Sequence, residues 1–135
     1  MAAALYREDR LDEARTLFQG LVGLYPDRAE YWSALGAVLT RMERHEEAIP
    51  VLSVALQLNP EDTAALVNRG ECFIALGQAE AAARDLERAI ELDPGETDPA
   101  SNRARQLAYG LYEFFDTIRE AGLDTVEVEE DGEPW

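Results

Sequence analysis

The sequence predicts an all-α solenoid built from three helix-turn-helix repeats and one C-terminal helix. Two observations lead to this fold class: residue types recur every 34 positions, and each period contains two apolar stretches with helical spacing. The positions in register are Pro26, Pro60 and Pro94; Ala14, Ala48 and Ala82; Leu24, Leu58 and Leu92; and the large apolar Phe18, Leu52 and Leu86. Four such columns over three copies indicate an internal repeat rather than coincidence.

The first half of the middle copy, residues 29–62, predicts an amphipathic helix. Its apolar residues follow the i, i+3, i+4, i+7 spacing of one helix face. They are Tyr31, Trp32, Leu35, Val38, Leu39 and Met42. We expect Asp27 to be the N-cap of this helix and Glu30, three residues on, to complete a capping box.

The second half of the middle copy predicts another helix, from Ala48 to Leu58. Asn59-Pro60 ends it, because proline lacks the N–H that continues the helix and restricts the residue before it. The alanines in register indicate a close crossing of the two helices, since larger side chains would push the axes beyond ~8–10 Å. The third copy, residues 63–96, follows the same plan.

A last helix follows the third copy. Asp98-Pro99 is a typical helix start, with proline at the first helical position, and Gly122 ends the helix. A solenoid needs a terminal element over its last open face, so we expect this helix to be the cap. Its apolar face consists of Ala104, Leu107, Ala108, Leu111, Phe114, Phe115 and Ile118.

The predicted organisation is one repeat domain over residues 1–121 and an acidic tail over 122–135. The domain comprises a truncated first copy at about 1–28, the copies 29–62 and 63–96, and the capping helix 99–121. The first copy is short because Met1 already falls at the seventh position of the repeat. The tail carries six acids and no base, and we expect it to be mostly solvated.

Composition excludes several classes of partner. The chain has 135 residues, one cysteine and a net charge of −16, which disfavours nucleic acid and anionic membranes as partners. No apolar run is long enough to cross a bilayer, and the N-terminus lacks the features of a signal peptide. A single cysteine offers no internal disulfide, so we expect a cytoplasmic protein.

No motif for catalysis, cofactor binding or metal binding is present in the sequence. His45 falls in a turn between two predicted helices, where we expect it to be exposed. Cys72 lies beside Phe73 within a helix, as a small buried hydrophobe does, without a basic neighbour to activate it. We therefore expect a protein that is not an enzyme and that has no cofactor and no metal.

The repeat resembles the tetratricopeptide repeat (TPR), and this resemblance implies a right-handed α-α superhelix. The middle copy supplies Trp32, Leu35, Gly36, Ala48, Ala55 and Pro60, and the third supplies Gly70, Ala82, Ala89 and Pro94. The third copy departs at Arg69, where the pattern has leucine, so this side chain must reach water or pair with an acid. The usual turn glycine is present as Gly77 but is replaced by Asp9 and Glu43 in the other copies.

By the same resemblance, the first helices line a concave groove that binds peptides. The expected groove residues are Tyr6, Arg7, Ser33, Ala34, Ala37, Thr40, Arg41, Val67, Asn68, Glu71 and Ile74. This small and apolar lining suits an extended segment of a protein partner with apolar anchors, and the acidic charge favours basic flanks. The carboxylate clamp of heat-shock adaptors is not expected, since only Asn68, with Arg41 and Arg7 elsewhere, is of the required type.

A narrower resemblance is to the class II chaperones of bacterial type III secretion, which hold hydrophobic translocator subunits. It rests on Leu5-Tyr6 through Ala14, on Tyr31-Trp32 through Ala37, and above all on the segment 70–77, Gly-Glu-Cys-Phe-Ile-Ala-Leu-Gly. The alternative is a generic TPR adaptor in a bacterial multiprotein complex. The given sequence does not include the N-terminal extension of that family, and the apolar half-repeat with Ala2, Leu5 and Tyr6 predicts a weak homo-oligomer.

Overall fold

The computed structural model describes residues 10–122, which form six α-helices and no strand. The helices are α1 (Leu11–Leu24), α2 (Ala29–Arg41), α3 (His45–Leu58), α4 (Thr63–Ala75), α5 (Ala79–Glu91) and α6 (Pro99–Glu120). This order confirms the predicted all-α fold, in which two complete helix pairs follow α1 and a longer helix comes last.

Sequential packing of these helices produces the solenoid. Helices α2 and α3 form one hairpin and α4 and α5 the next, and each helix packs against its neighbour along the chain. Helix α2 also packs against α4, so the first helices of consecutive repeats form a common face. Helix α6 packs against both α4 and α5, as the expected cap would. No helix between residues 10 and 122 combines the length and the apolar character that a bilayer crossing requires.

Glycine and alanine allow the paired helices to approach closely. Ala48 and Ala82 have no exposed surface, which confirms the predicted close crossings. A Cβ added at Gly36 would overlap the Leu52 side chain, and one at Gly70 would lie 2.9 Å from Leu86 Cδ2. In each hairpin, therefore, a glycine on the first helix leaves the space that a leucine on the second helix fills, and the two helices are in van der Waals contact there.

The N-cap of α2, the first helix of the middle repeat, differs from the expectation. The prediction that Asp27 caps α2 is wrong: the N-cap is Arg28, which makes no capping hydrogen bond through its side chain. The turn is held instead by Trp32 Nε1, which donates to the carbonyl oxygen of Pro26 at 2.9 Å. The expected type of cap occurs 34 positions after Arg28, where Asp62 accepts from the Ala65 amide at 3.0 Å.

The start of α6 follows the prediction. Asp98 is its N-cap and accepts a hydrogen bond from the Ala100 amide at 2.9 Å, with Pro99 in the first turn. The helix ends at Glu120, shortly before Gly122, whose φ of 81° is one that glycine adopts freely.

Helix α6 covers the third repeat with only part of its apolar face. Ala104, Ala108 and Leu111 are buried. The expectation that Phe114 belongs to this covering face is wrong, because its side chain is 55% exposed. At about 100° per residue, Phe114 lies about 60° around the helix from Leu111 on the side away from Ala108, which places it at the edge of the contact.

Candidate functional site

The expected groove residues lie on α2 and α4, the first helices of two successive repeats. Ser33, Ala34, Ala37, Thr40 and Arg41 belong to α2, and Val67, Asn68, Glu71 and Ile74 belong to α4. The two helices pack side by side, as the expected groove requires. Tyr6 and Arg7 lie outside the described residues, as do Ala2 and Leu5, on which the expected homo-oligomer rests.

Burial separates the residues that are accessible on this face from those that are not. Arg41 is exposed and most of the others are half-buried, so solvent and a ligand can reach them. Val67, however, is only 2% exposed. It belongs to the packed core, because α4 is covered by α2 on one side and by α6 on another. Val67 therefore cannot provide the open apolar pocket that the groove pattern led us to expect.

Thr40 connects the groove face to the buried cysteine. Its hydroxyl donates to the carbonyl oxygen of Gly36 at 2.8 Å and lies 3.5 Å from Cys72 Sγ. Burial raises the pKa of the Cys72 thiol, which keeps it protonated and unreactive at neutral pH. The expectation that Cys72 is a small buried hydrophobe is confirmed by its complete burial.

A cavity of about 340 Å³, here called the middle cavity, opens beside the C-terminal ends of α2 and α4. It is lined by four of the expected groove residues, Thr40, Arg41, Glu71 and Ile74. Glu71 is oriented by an ion pair with Arg103 of α6, so the capping helix also shapes the cavity. Leu107 of α6 contributes an apolar wall.

His45 also lines the middle cavity, which differs from the expected exposed turn position. It is the first residue of α3, and its side chain is half-buried. Its Nδ1 atom is buried and has no hydrogen-bond partner within residues 10–122. The difference arises because the helix begins at His45 itself, so the imidazole packs at the cavity wall instead of extending from a loop.

A second and larger cavity, here called the apolar cavity, was not predicted from the sequence. Its volume is about 510 Å³, and it lies between the turn that joins α4 to α5 and the middle of α6. Its walls are almost entirely apolar and include Ile74, Leu107, Gly110, Leu111 and Phe114. The sequence feature that could have indicated this cavity is Gly110. A glycine inside a helix is unfavourable and often has a packing or functional reason.

The described residues contain no cluster suited to metal binding. No group of three or more histidine, cysteine, aspartate or glutamate side chains could hold an ion between residues 10 and 122. The expected groove residues on α2 and α4 are mainly small or polar side chains, with Ile74 as an accessible large apolar one. Such a surface suits non-covalent recognition of a peptide.

Comparison with protein families identifies the repeat. One tetratricopeptide repeat model matches residues 35–108, and a second matches residues 1–63. The chain is 34% identical over 92 residues to Hsc70-interacting protein 1 of Drosophila melanogaster, covering 68% of this chain and 24% of that protein. It is 29% identical over 90 residues to DnaJ homolog subfamily C member 7 of Mus musculus, covering 67% of this chain and 18% of that protein. The chain thus spans under a quarter of the length of these two relatives.

Solved structures share the fold. The type III secretion translocator chaperone SycD of Yersinia enterocolitica superposes with a TM-score of 0.76 at 20% identity, covering 85% of this chain and 81% of that one. PcrH, solved in complex with the chaperone binding region of PopD, gives a TM-score of 0.72 at 21% identity, covering 82% and 84%. Taken with the 34-residue period and the helix pairs, the family match over residues 35–108 shows that the chain belongs to the tetratricopeptide repeat family.

Proposed function

We propose that this chain is a non-catalytic, cytoplasmic chaperone that holds an extended apolar segment of a partner protein against the α2–α4 face. The observation that carries the proposal is the middle cavity. Four residues that the repeat pattern assigns to the groove line this one space of about 340 Å³. Peptide-binding sites place apolar pockets beside groups that hydrogen-bond the peptide backbone. Thr40 and Ile74 supply both features within the same cavity.

The remainder of the face suits an extended backbone. Ala34 and Ala37 are half-buried and small, so a peptide can approach α2 closely there. Ser33 and Asn68 make no side-chain hydrogen bond within residues 10–122, and both are available to a peptide backbone. Because these groups lie on preformed helices, this chain loses little conformational freedom when it binds a peptide.

We further propose that the client is a translocator subunit of a type III secretion system. The support is the sequence resemblance over the segment 70–77 and the fold shared with SycD and PcrH. A hydrophobic translocator needs an apolar surface to cover it before export, which the α2–α4 face offers. A weak homo-oligomer through the first repeat is part of the same proposal.

A second candidate is a TPR adaptor in another multiprotein complex. The similarity to the Hsc70-interacting proteins favours it, because these relatives are named for binding another protein. The two candidates share the groove and differ in the client. The identity of the captured protein, together with the genes that neighbour this one, distinguishes them.

Site-specific crosslinking in the native cells tests the proposal. A photoreactive amino acid at position 37 lies on the proposed face, whereas one at Leu58, which is 43% exposed on α3, provides the control. We expect a covalent adduct with one client from position 37 and none from position 58. The adduct should disappear in the variant Ala34→Arg, whose long charged side chain would occupy the proposed face. Capture from position 58 alone, or from neither position, would contradict the proposed groove.

A further inference from the structure

A third depression borders the middle cavity, and the three spaces are here called the trough because neighbouring members share lining residues. The third, here called the acidic depression, has a volume of about 240 Å³ and lies beside the turn between α2 and α3. It shares Glu43 and His45 with the middle cavity. The middle cavity in turn shares Ile74 and Leu107 with the apolar cavity. The trough therefore has an acidic end, a mixed centre and an apolar end.

Negative charge is unbalanced at the acidic end. Three carboxylates, those of Glu43, Glu46 and Glu47, line this depression together with the single guanidinium of Arg44. Arg44 Nη1 lies 3.7 Å from Glu47 Oε1, so its charge is already matched. Glu43 and Glu46 have no ion pair in the part of the chain that the structure describes. A cationic side chain is the complementary group for this end.

The backbone at Glu43 adopts a conformation that favours glycine. Glu43 has a φ of 60°, and the equivalent residue of the next repeat, Gly77, has a φ of 77°. Glycine adopts this left-handed conformation readily, whereas other residues are disfavoured in it. The middle repeat therefore places a carboxylate in the trough at a position that the turn itself would fill better with glycine.

The apolar end has room for a large side chain. Gly110 lies in the interior of α6 and lines the apolar cavity. A Cβ built on Gly110 would have no other atom within 4 Å, so the space in front of it is open. The volume of about 510 Å³ falls in the range of roughly 300–1,000 Å³ that is usual for ligand pockets. Phe114, at 55% exposure, offers an aromatic wall to whatever enters.

We infer that the trough selects extended partner segments in which a lysine or arginine and a bulky apolar residue stand in fixed order and spacing. The cation contacts Glu43 and Glu46, and the apolar side chain fills the cavity in front of Gly110. Arg41 lies in the mixed centre and repels a cation there, which fixes the cation at the acidic end. This inference rests on the proposed function and specifies which segments the groove accepts.

Selection from a peptide library tests the inference and does not require that the client be identified first. Random displayed peptides of about twelve residues are selected on the full chain, because an extended peptide of that length spans roughly 40 Å. We expect enriched sequences to share a basic residue and a bulky apolar residue in one order. A synthetic consensus peptide labelled with fluorescein then gives dissociation constants by anisotropy.

Gly110→Leu fills the apolar cavity and is the first variant to compare. It should lower the affinity for the consensus peptide roughly tenfold or more. It should not lower the thermal midpoint, since leucine favours the helix more than glycine does. Gly20→Leu is the matched control, because Gly20 also lies inside a helix with no atom near its Cβ position and outside the trough. The control should bind as the unmodified chain does.

The double variant Glu43→Lys, Glu46→Lys tests the acidic end. Selection on it should enrich acidic instead of basic residues next to the apolar anchor. The control is Glu61→Lys, Glu96→Lys, which changes the net charge equally in turns outside the trough. Glu96, with φ 58°, also matches the backbone conformation of Glu43. The control should keep the preference for basic residues.

Three outcomes would overturn the inference: no enriched pattern, equal affinity of the Gly110→Leu and unmodified chains, or the same basic preference after charge reversal. Crosslinking from position 37 decides the proposed function separately. If position 37 captures a client while Gly110→Leu binds the consensus peptide normally, the groove is correct and the selection rule is wrong. If position 37 captures nothing, the proposed function fails whatever the library yields.

Discussion

Arg69 and Asp85 form a two-pronged ion pair that joins the helices of the third repeat. Arg69 Nε and Nη2 donate to the two carboxylate oxygens of Asp85 at 2.7 and 2.8 Å. The third guanidinium nitrogen, Nη1, donates to Ser53 Oγ on α3 at 3.0 Å. The guanidinium carbon also lies 5.8 Å from the centre of the Phe73 ring. One side chain therefore connects α3, α4 and α5, which fulfils the expectation that Arg69 pairs with an acid.

Removing one partner of this pair should be more damaging than removing both. The side chains of Arg69 and Asp85 are 23% and 8% exposed, so Asp85→Ala leaves a largely buried guanidinium without its carboxylate. We expect a loss of about 2–4 kcal/mol in the free energy of unfolding. The double variant Arg69→Leu, Asp85→Leu should recover most of the lost free energy of unfolding, because it removes both charges. It also restores at position 69 the leucine of the repeat pattern. Urea denaturation measures both, and equal losses in the single and double variants would contradict this account.

Gly36 should not tolerate even a methyl group. Its Cβ would overlap the side chain of Leu52, which is fully buried. We expect Gly36→Ala to lower the free energy of unfolding by about 1–2 kcal/mol, because overpacking outweighs the gain in helix propensity. Gly110→Ala is the matched control. With no atom near its Cβ position, it should raise the free energy of unfolding by about 1 kcal/mol. A stabilised Gly36→Ala variant would show that the helices can separate without penalty.

Sequence periodicity predicted the fold because repeats impose it locally. The period of 34 residues fixes the helix pairs, and the paired Gly36 and Leu52 fix how closely they cross. The cap at Asp27 could not be predicted reliably, because a helix start depends on which of several neighbouring residues becomes extended. In this repeat Arg28 does so, with φ −97° and ψ 106°.

The site was predicted less completely than the fold, for a physical reason. The repeat pattern assigns groove positions only to the first helices of the repeats, but α6 lies outside the repeat and changes the environment of the positions on α2 and α4. It pairs Arg103 with Glu71 and encloses the apolar cavity at Gly110. The packing of a terminal helix depends on contacts distant in sequence, which a periodic pattern does not contain.

Asp93 should contribute to the loss of stability in acid. A hydrogen bond from Ser101 Oγ at 2.5 Å, followed by one from the Asp98 amide at 2.8 Å, holds the pKa of the Asp93 carboxyl well below its ordinary value of 3.8. The folded chain thus keeps this carboxylate ionised at a pH where the unfolded chain protonates it. Its contribution is complete above a pH of about 4 and is lost as the pH falls further.

Comparison with Asp93→Asn isolates this contribution. The difference in free energy of unfolding between the two proteins should be constant from pH 7 to about pH 5 and shrink below about pH 4. Other carboxylates titrate in both proteins and cancel in the difference. Thermal or urea denaturation over this range gives the values. A difference that stays unchanged down to a pH of about 2.5 would show that Asp93 is not held ionised by the turn that leads into α6.

Substitutions at Leu111 and Phe114 should distinguish the contribution of α6 to stability from its contribution to peptide binding. Leu111 is 8% exposed and Phe114 is 55% exposed, although both line the apolar cavity. Leu111→Ala removes buried apolar volume and should lower the free energy of unfolding by about 2–3 kcal/mol. Phe114→Ala loses mainly the contact with Phe115, whose ring centre is 6.1 Å away, and should cost about 1 kcal/mol or less. Because Phe114 forms the exposed wall of the cavity, its replacement should nevertheless weaken the consensus peptide about as much as Gly110→Leu does. If Phe114→Ala destabilises the chain as strongly as Leu111→Ala, or leaves peptide affinity unchanged, Phe114 does not have the role assigned to it here.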